Sequence, residues 1–265
     1  MHWPDASHLH AALACLVVCA ALGWFAPLLV ARLPEPQPEP QPEPRSEKDV
    51  VVDDAVSPGE RTTFARSLAP APPKEPYADI AALPHLALWI ALWSAAIGAC
   101  FGLALGWTGA LLYLVPLVPI GVVLMVIDWR TTLLPTRILH PTYALLAVLI
   151  PLAALVDRDL DSLYRSAWGW LVIGAWFWIL WWVLNAWGFG DVRLSRVLVP
   201  ALGYLGWSHM LMGLALMVFV GGIGGVVLGI ANRSLRRRFP YGPFMLVGAA
   251  LAVVAGPWLA QSLGY

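Results

Sequence analysis

Two aspartates in the apolar part of the chain have the residue type and the surroundings that acid–base chemistry needs. Asp128 ends the apolar run LLYLVPLVPIGVVLMVID, and Asp191 directly follows Gly188-Phe189-Gly190. Two carboxylates that lie together can share one proton, because both cannot easily ionise side by side. One could then activate a water molecule as a base while the other protonates a leaving group as an acid. The two residues are therefore a candidate pair for aspartate-catalysed hydrolysis at a membrane surface.

A simpler interpretation of each aspartate is also open. Ionisable residues at membrane depth are costly and mark functional sites by default, but a carboxylate at the end of an apolar helix can also be an ordinary charge in the headgroup zone. The glycines favour a functional role, because glycine allows unusual backbone angles and close approach of another segment.

The other titratable residues after residue 80 have less informative surroundings. The remaining acids lie in one charged segment, which holds Asp157, Arg158, Asp159, Asp161 and Arg165. We interpret this segment as a solvated loop, since nothing supports a divalent-ion site there. His140 is interpreted as a satisfied interfacial histidine, with a titrating role as the alternative, and His209 begins the seventh apolar stretch on the outside.

The composition indicates the elements that must position these residues. Hydrophobic residues make up 60% of the 265 residues and charged residues 12%, whereas soluble domains carry about 25% charged residues. Lys plus Arg equals Asp plus Glu at 16 each, which argues against a nucleic-acid-binding protein. Cys15, Cys19 and Cys100 lie in apolar runs, so neither a disulfide framework nor a zinc cluster is predicted.

Eight apolar stretches predict an all-α, polytopic membrane protein with about eight transmembrane helices. They cover residues 9–31, 85–106, 109–127, 138–156, 167–187, 195–207, 209–231 and 243–262. The sixth is short and contains Pro200, Gly203 and Gly206. The first lacks a basic start and is interpreted as a retained helix.

The distribution of Lys and Arg predicts the orientation in the cell membrane. With both termini outside, the inside segments hold 14 of the 16 bases, and only Arg158 and Arg165 lie outside. Those inside segments are residues 32–84, 128–137, 188–196 and 232–242. The positive-inside rule therefore places Asp128 and Asp191 at the cytoplasmic face.

Five short elements, in the same order along the chain, resemble motifs of the type IV prepilin peptidases, which are intramembrane aspartic proteases of the GxGD type. The elements are Ala31-Arg32-Leu33-Pro34; Ile127-Asp128 with Leu134-Pro135 and Pro141; Gly188-Phe189-Gly190-Asp191-Val192-Arg193-Leu194; Leu202-Gly203-Tyr204-Leu205-Gly206-Trp207; and Phe239-Pro240-Tyr241-Gly242-Pro243-Phe244. A lone GxGD tetrapeptide would be weak evidence, but five elements in family order are strong evidence.

The resemblance implies an endopeptidase that removes the leader of type IV prepilins or pseudopilins at the cytoplasmic face. Asp128 and Asp191 would be the catalytic pair, and Gly188, Gly190, Arg193 and Pro135 would contact the substrate. Neither a metal nor an organic cofactor is implied. The partners would be the substrate's apolar helix, docked between spans, and the lipid bilayer, without nucleic acid. Arg193 stands where the family usually has lysine, and Thr136 where it often has Asp or Asn.

The first loop departs further from the family. Many members hold zinc there with two CxxC pairs, in a domain linked to N-methylation, but residues 32–84 contain no cysteine. Residues 34–44 read PEPQPEPQPEP, which favours polyproline II. We therefore expect a first transmembrane helix at 1–31, a disordered cytoplasmic Pro-rich loop at 32–84 without methyltransferase function, and a seven-helix membrane peptidase domain at 85–265.

Two functions of other classes remain as alternatives. A proton-coupled transporter also uses membrane acids and broken helices, but it predicts acids near the bilayer midplane and related halves in the sequence. An inactive assembly protein of a pilus or secretion system is the second alternative. The sequence does not define the oligomeric state.

Overall fold

The computed structural model describes residues 6–35, 75–184, 188–231 and 239–262. Residues 36–74 of the predicted disordered loop therefore lie outside the described residues. The arginines between residues 233 and 238 also lie outside them. The helices are α1 (Ala6–Phe25), α2 (Pro27–Ala31), α3 (Tyr77–Ala81), α4 (Leu86–Leu105), α5 (Leu111–Thr131), α6 (Thr136–Asp157), α7 (Leu160–Trp168), α8 (Gly174–Leu184), α9 (Phe189–Leu205), α10 (Trp207–Ala231) and α11 (Gly242–Ser262). A π-helical turn, Gly169–Ile173, joins α7 to α8.

The all-α membrane fold is confirmed, and the four described ranges contain no strand. Among the described residues, six helical segments are long and apolar enough to cross a membrane: Ala6–Ala31, Leu86–Leu105, Leu111–Thr131, Thr136–Asp157, Leu160–Val183 and Trp207–Ala231. The other two predicted spans correspond to α9, which has 17 residues, and α11, whose described apolar part is shorter. A count of eight crossings stays a prediction.

The first span packs against α4 through small residues. Gly102 of α4 approaches α1 so closely that a Cβ on it would lie 2.6 Å from the backbone nitrogen of Ala12. Gly98 similarly faces Cys15 and Cys19, which are buried in this contact. Without a hydrophobic driving force between helices in lipid, such close backbone approach is what stabilises helix pairs.

The fifth span begins earlier than the sequence suggested. The expected solvated loop ends at Asp159, which caps α7 by accepting a hydrogen bond from the Ser162 nitrogen at 3.1 Å. Asp157 is exposed, yet its carboxylate accepts hydrogen bonds from the Gly109 nitrogen at 2.7 Å and the Tyr204 hydroxyl at 2.7 Å. Asp157 therefore joins the ends of neighbouring helices and Asp159 caps a helix start, and apolar periodicity reveals neither role.

Helices α5 and α9 form the centre of the fold. Most of the residues of α9 are buried, from Asp191 to Tyr204. The Tyr113 hydroxyl near the start of α5 donates to the Ala201 carbonyl near the end of α9, at 2.8 Å. The Tyr113 side chain therefore joins the start of α5 to the end of α9.

Candidate active site

Asp128 lies in the last turn of α5 and is 4% exposed. Its Oδ2 accepts a hydrogen bond from the Gly242 nitrogen at 2.9 Å. The helix ends at Thr131, and the next residue, Thr132, has a positive φ of 52°. Pro135, with an extended backbone, is the N-cap of α6. The first motif is thus a helix end followed by a tight reversal, which holds the carboxylate inside the bundle.

Asp191 lies in the first turn of α9 and is 8% exposed. Its Oδ2 accepts a hydrogen bond from the nitrogen of Gly188, the N-cap residue, at 3.1 Å. A carboxylate at this position is favoured by the free N–H groups and the dipole of the helix. Burial and the charge of Asp128 nevertheless raise the pKa of Asp191 to about 7. The structure therefore brings the two predicted aspartates within electrostatic contact.

Leu134 lies between the segments that carry the two aspartates. A Cβ on Gly190 would lie 3.1 Å from the Leu134 Cβ, and one on Gly242 would lie 3.6 Å from its Cδ1. The same Cβ on Gly242 would lie 2.8 Å from Oδ2 of Asp128. Close approach of Leu134 thus accounts for glycine at position 190, and close approach of Asp128 for glycine at position 242.

The third wall of the site comes from the segment that begins α11. Its aromatic side chains pack on a glycine-rich face of α10, with Tyr241 against Gly221 and Phe244 against Gly224. The Tyr241 hydroxyl also donates to the Met217 carbonyl at 3.1 Å. These contacts fix the Gly242 nitrogen against Asp128. The sequence predicted no site residue in this segment. Its resemblance to a family motif could have indicated that it lies at the site.

The predicted substrate-contacting residues differ in their exposure and in their contacts. Gly188 is exposed, whereas Gly190 and Pro135 are partly buried. Arg193 has internal partners: its Nη1 donates to the Thr136 hydroxyl, and its guanidinium carbon lies 4.5 Å from the centroid of the Phe189 ring.

The remaining titratable candidates lie apart from this site. His140 is exposed, with its ring centroid 6.1 Å from that of Tyr143. His209 is buried in α10. Asp157 lies at the end of α6 opposite to Thr136. Within the described part of the chain, no three His, Cys, Asp or Glu side chains are grouped to hold a metal ion.

A comparison with protein families identifies the segment that carries both aspartates. Residues 115–230 match the model of the Type IV leader peptidase family. Over these residues the chain is similar to that family. The prepilin leader peptidase/N-methyltransferase of Escherichia coli (strain K12) is 28% identical over 143 residues, which cover 52% of this chain and 60% of that relative. No solved structure matches the chain.

Proposed function

We propose that the protein is an integral membrane aspartic endopeptidase that removes the leader of type IV prepilins or pseudopilins. The observation that carries the proposal is the buried pair formed by Asp128 and Asp191, which interact electrostatically and each accept a backbone N–H. The family match over residues 115–230 supports the same function. The helix-end position of both acids disfavours the transporter alternative, which expects acids at the bilayer midplane.

In the proposed reaction the pair holds one proton. The ionised carboxylate takes a proton from water, and the resulting hydroxide attacks the carbonyl carbon of the scissile peptide bond. The protonated carboxyl group then gives its proton to the leaving amide nitrogen, and the C–N bond breaks. The proton belongs to the pair and not to either residue alone.

An apolar groove supports a docking place for the substrate's hydrophobic helix. The groove has a volume of about 100 Å³ and lies between α4, α5, α9 and α11. Its lining includes Met125, one turn before Asp128, and Leu246, one turn after Gly242. Small residues such as Gly121 and Ala250 also line it, and such residues let another helix approach closely in lipid. The groove therefore begins where the carboxylates lie.

We further propose that the site faces the cytoplasm and that both termini lie outside. The excess of bases in the segments next to Asp128 and Asp191 supports this orientation. Arg137 is exposed near the start of α6. Asp161 is exposed in the first turn of α7, which follows the opposite end of α6. In a cysteine-free chain in intact cells, an impermeant thiol reagent should label Asp161→Cys and leave Arg137→Cys unlabelled. The reverse pattern would contradict the orientation.

The absence of cysteine from residues 32–84 supports a peptidase without the zinc-supported methyltransferase domain. In this division residues 1–31 are a first span and residues 85–265 the peptidase domain. Substrate cleaved by the purified protein with S-adenosylmethionine should carry a free amine by intact-mass analysis. A donor-dependent product heavier by one methyl group would refute this part of the proposal.

Cleavage itself is tested by co-expression with a candidate prepilin and mass spectrometry of the product. Asp128→Asn and Asp191→Asn should each abolish leader removal, because an amide can neither activate water nor deliver the proton. Asp159→Asn is the matched control, since asparagine caps a helix as well as aspartate does. Near wild-type cleavage by either site variant would exclude the paired mechanism.

A further inference from the structure

We propose that Arg193 and Thr136 form a clasp that sets the separation of the two carboxylates. Arg193 is then a positioning residue and does not contact the substrate. The inference rests on the proposed function, and it concerns two residues that take no part in bond making or breaking.

The clasp joins the two motifs directly. Arg193 lies two residues after Asp191 in α9, and Thr136 is the first residue of α6, directly after Pro135. The guanidinium donates to the Thr136 hydroxyl across this contact. Because Asp128 and Thr136 are linked only by the short reversal at Thr132, the clasp holds the start of α9 against the segment that follows the first aspartate.

Two further contacts hold Arg193 in this position. Its backbone carbonyl accepts a hydrogen bond from the Tyr143 hydroxyl of α6 at 2.7 Å. Its guanidinium covers the Phe189 ring, which in turn lies 4.9 Å, centroid to centroid, from the Trp181 ring of α8. A planar guanidinium can stack and donate at the same time, which a lysine ammonium cannot reproduce. The first turn of α9 is thereby held between α6 and α8.

The chemistry depends on this placement. Leu134 packs on Gly190, so movement of the α9 start relative to the reversal would also change the position of Asp191. Misplacement of a reacting group by about 1 Å can cost about a hundredfold in rate. Loss of the clasp should therefore lower kcat, whereas loss of a substrate contact would raise KM.

The kinetic test compares Thr136→Val, which removes the hydroxyl, with Thr136→Ser, which keeps it. Thr136→Val and Arg193→Met should each lower kcat by about tenfold to a hundredfold with little change in KM. The double variant should be no slower than the slower single variant, because both changes break the same contact. Thr136→Ser should retain the wild-type kcat, and Arg137→Met is the control for a lost charge beside the clasp. Wild-type kcat in Thr136→Val, or a rise in KM alone in Arg193→Met, would overturn the clasp.

A second measurement does not depend on peptidase activity. A Cβ on Gly190 would lie 3.1 Å from the Leu134 Cβ, close to the roughly 3.5–4.5 Å between the Cβ atoms of a disulfide. In a cysteine-free chain, Leu134→Cys with Gly190→Cys should therefore cross-link under mild oxidation. Thr136→Val should slow this cross-linking and Thr136→Ser should not; equal rates in the two would refute the clasp. Failure of the wild-type chain to cleave would instead refute the proposed function.

Discussion

Replacement of Gly242 by alanine should impair catalysis. The added Cβ would lie 2.8 Å from Oδ2 of Asp128, the atom that accepts the Gly242 N–H at 2.9 Å. The carboxylate must move, and the hydrogen bond lengthens or breaks. A hydrogen bond to a charged group contributes about 1.5–3 kcal/mol. If all of it is lost in the transition state, kcat should fall by about tenfold to 150-fold.

A measurement of stability separates an effect on catalysis from a loss of folded protein in this variant. Gly242 has no positive φ and begins α11, where alanine is at least as favourable as glycine. The assay is cleavage of a prepilin substrate by purified protein, with thermal unfolding measured on the same samples. Gly222→Ala is the matched control, because a Cβ at Gly222 would meet no atom within 4 Å. Wild-type kcat in Gly242→Ala, at unchanged melting temperature, would refute the assigned role of the Gly242 N–H.

Three other predictions concern packing, pH and the first loop. Gly221→Ala should lower the melting temperature relative to Gly222→Ala, because its Cβ would lie 2.2 Å from the Tyr241 ring; equal melting temperatures would contradict the packing of Tyr241 on α10. The pKa of Asp191 is raised to about 7, so the shared proton is present below this pH and lost above it. The kcat should therefore fall as the pH rises through 7. An activity that keeps rising to pH 9 would argue against the shared proton. Replacing residues 40–70 by a short glycine–serine linker should leave cleavage intact. The Glu35 carboxylate accepts a hydrogen bond from the Tyr77 nitrogen at 2.8 Å, so the residues on either side of the replaced segment are already joined. Loss of cleavage by the membrane-inserted, folded variant would show that the loop takes part.

The sequence predicted the helices and the aspartate pair for the same physical reason. A chain with so few charges must place its long apolar runs in lipid, and each acid that interrupts them is then conspicuous. Asp128 and Asp191 were therefore identifiable before any geometry was known. The start of the fifth span was harder to predict, since Asp159 caps a helix whose first turns are polar.

The partners of the two aspartates could not be predicted, because they depend on packing between distant segments. Gly242 meets Asp128 only once α11 has packed on α5 and the aromatic residues of its first segment have packed on α10. The contact between Arg193 and Thr136 likewise joins two helices. From the sequence, Arg193 was predicted to contact the substrate, and both residues were separate departures from the family pattern. In the structure they contact each other.

The candidate site is built from helix termini, and this explains how two carboxylates can be buried together. A helix leaves its first N–H groups without an internal partner, and two such ends, those of α9 and α11, meet at the pair. Gly188 gives its N–H to Asp191, and Gly242 gives its N–H to Asp128. Each donor is a backbone group, so it can stabilise one negative charge without bringing a titrating group into the site. Burial still opposes ionisation of Asp191, and one shared proton removes the repulsion that two charges would create. If the pair holds one proton, the arrangement places one base and one acid side by side, which is the state that the proposed hydrolysis requires.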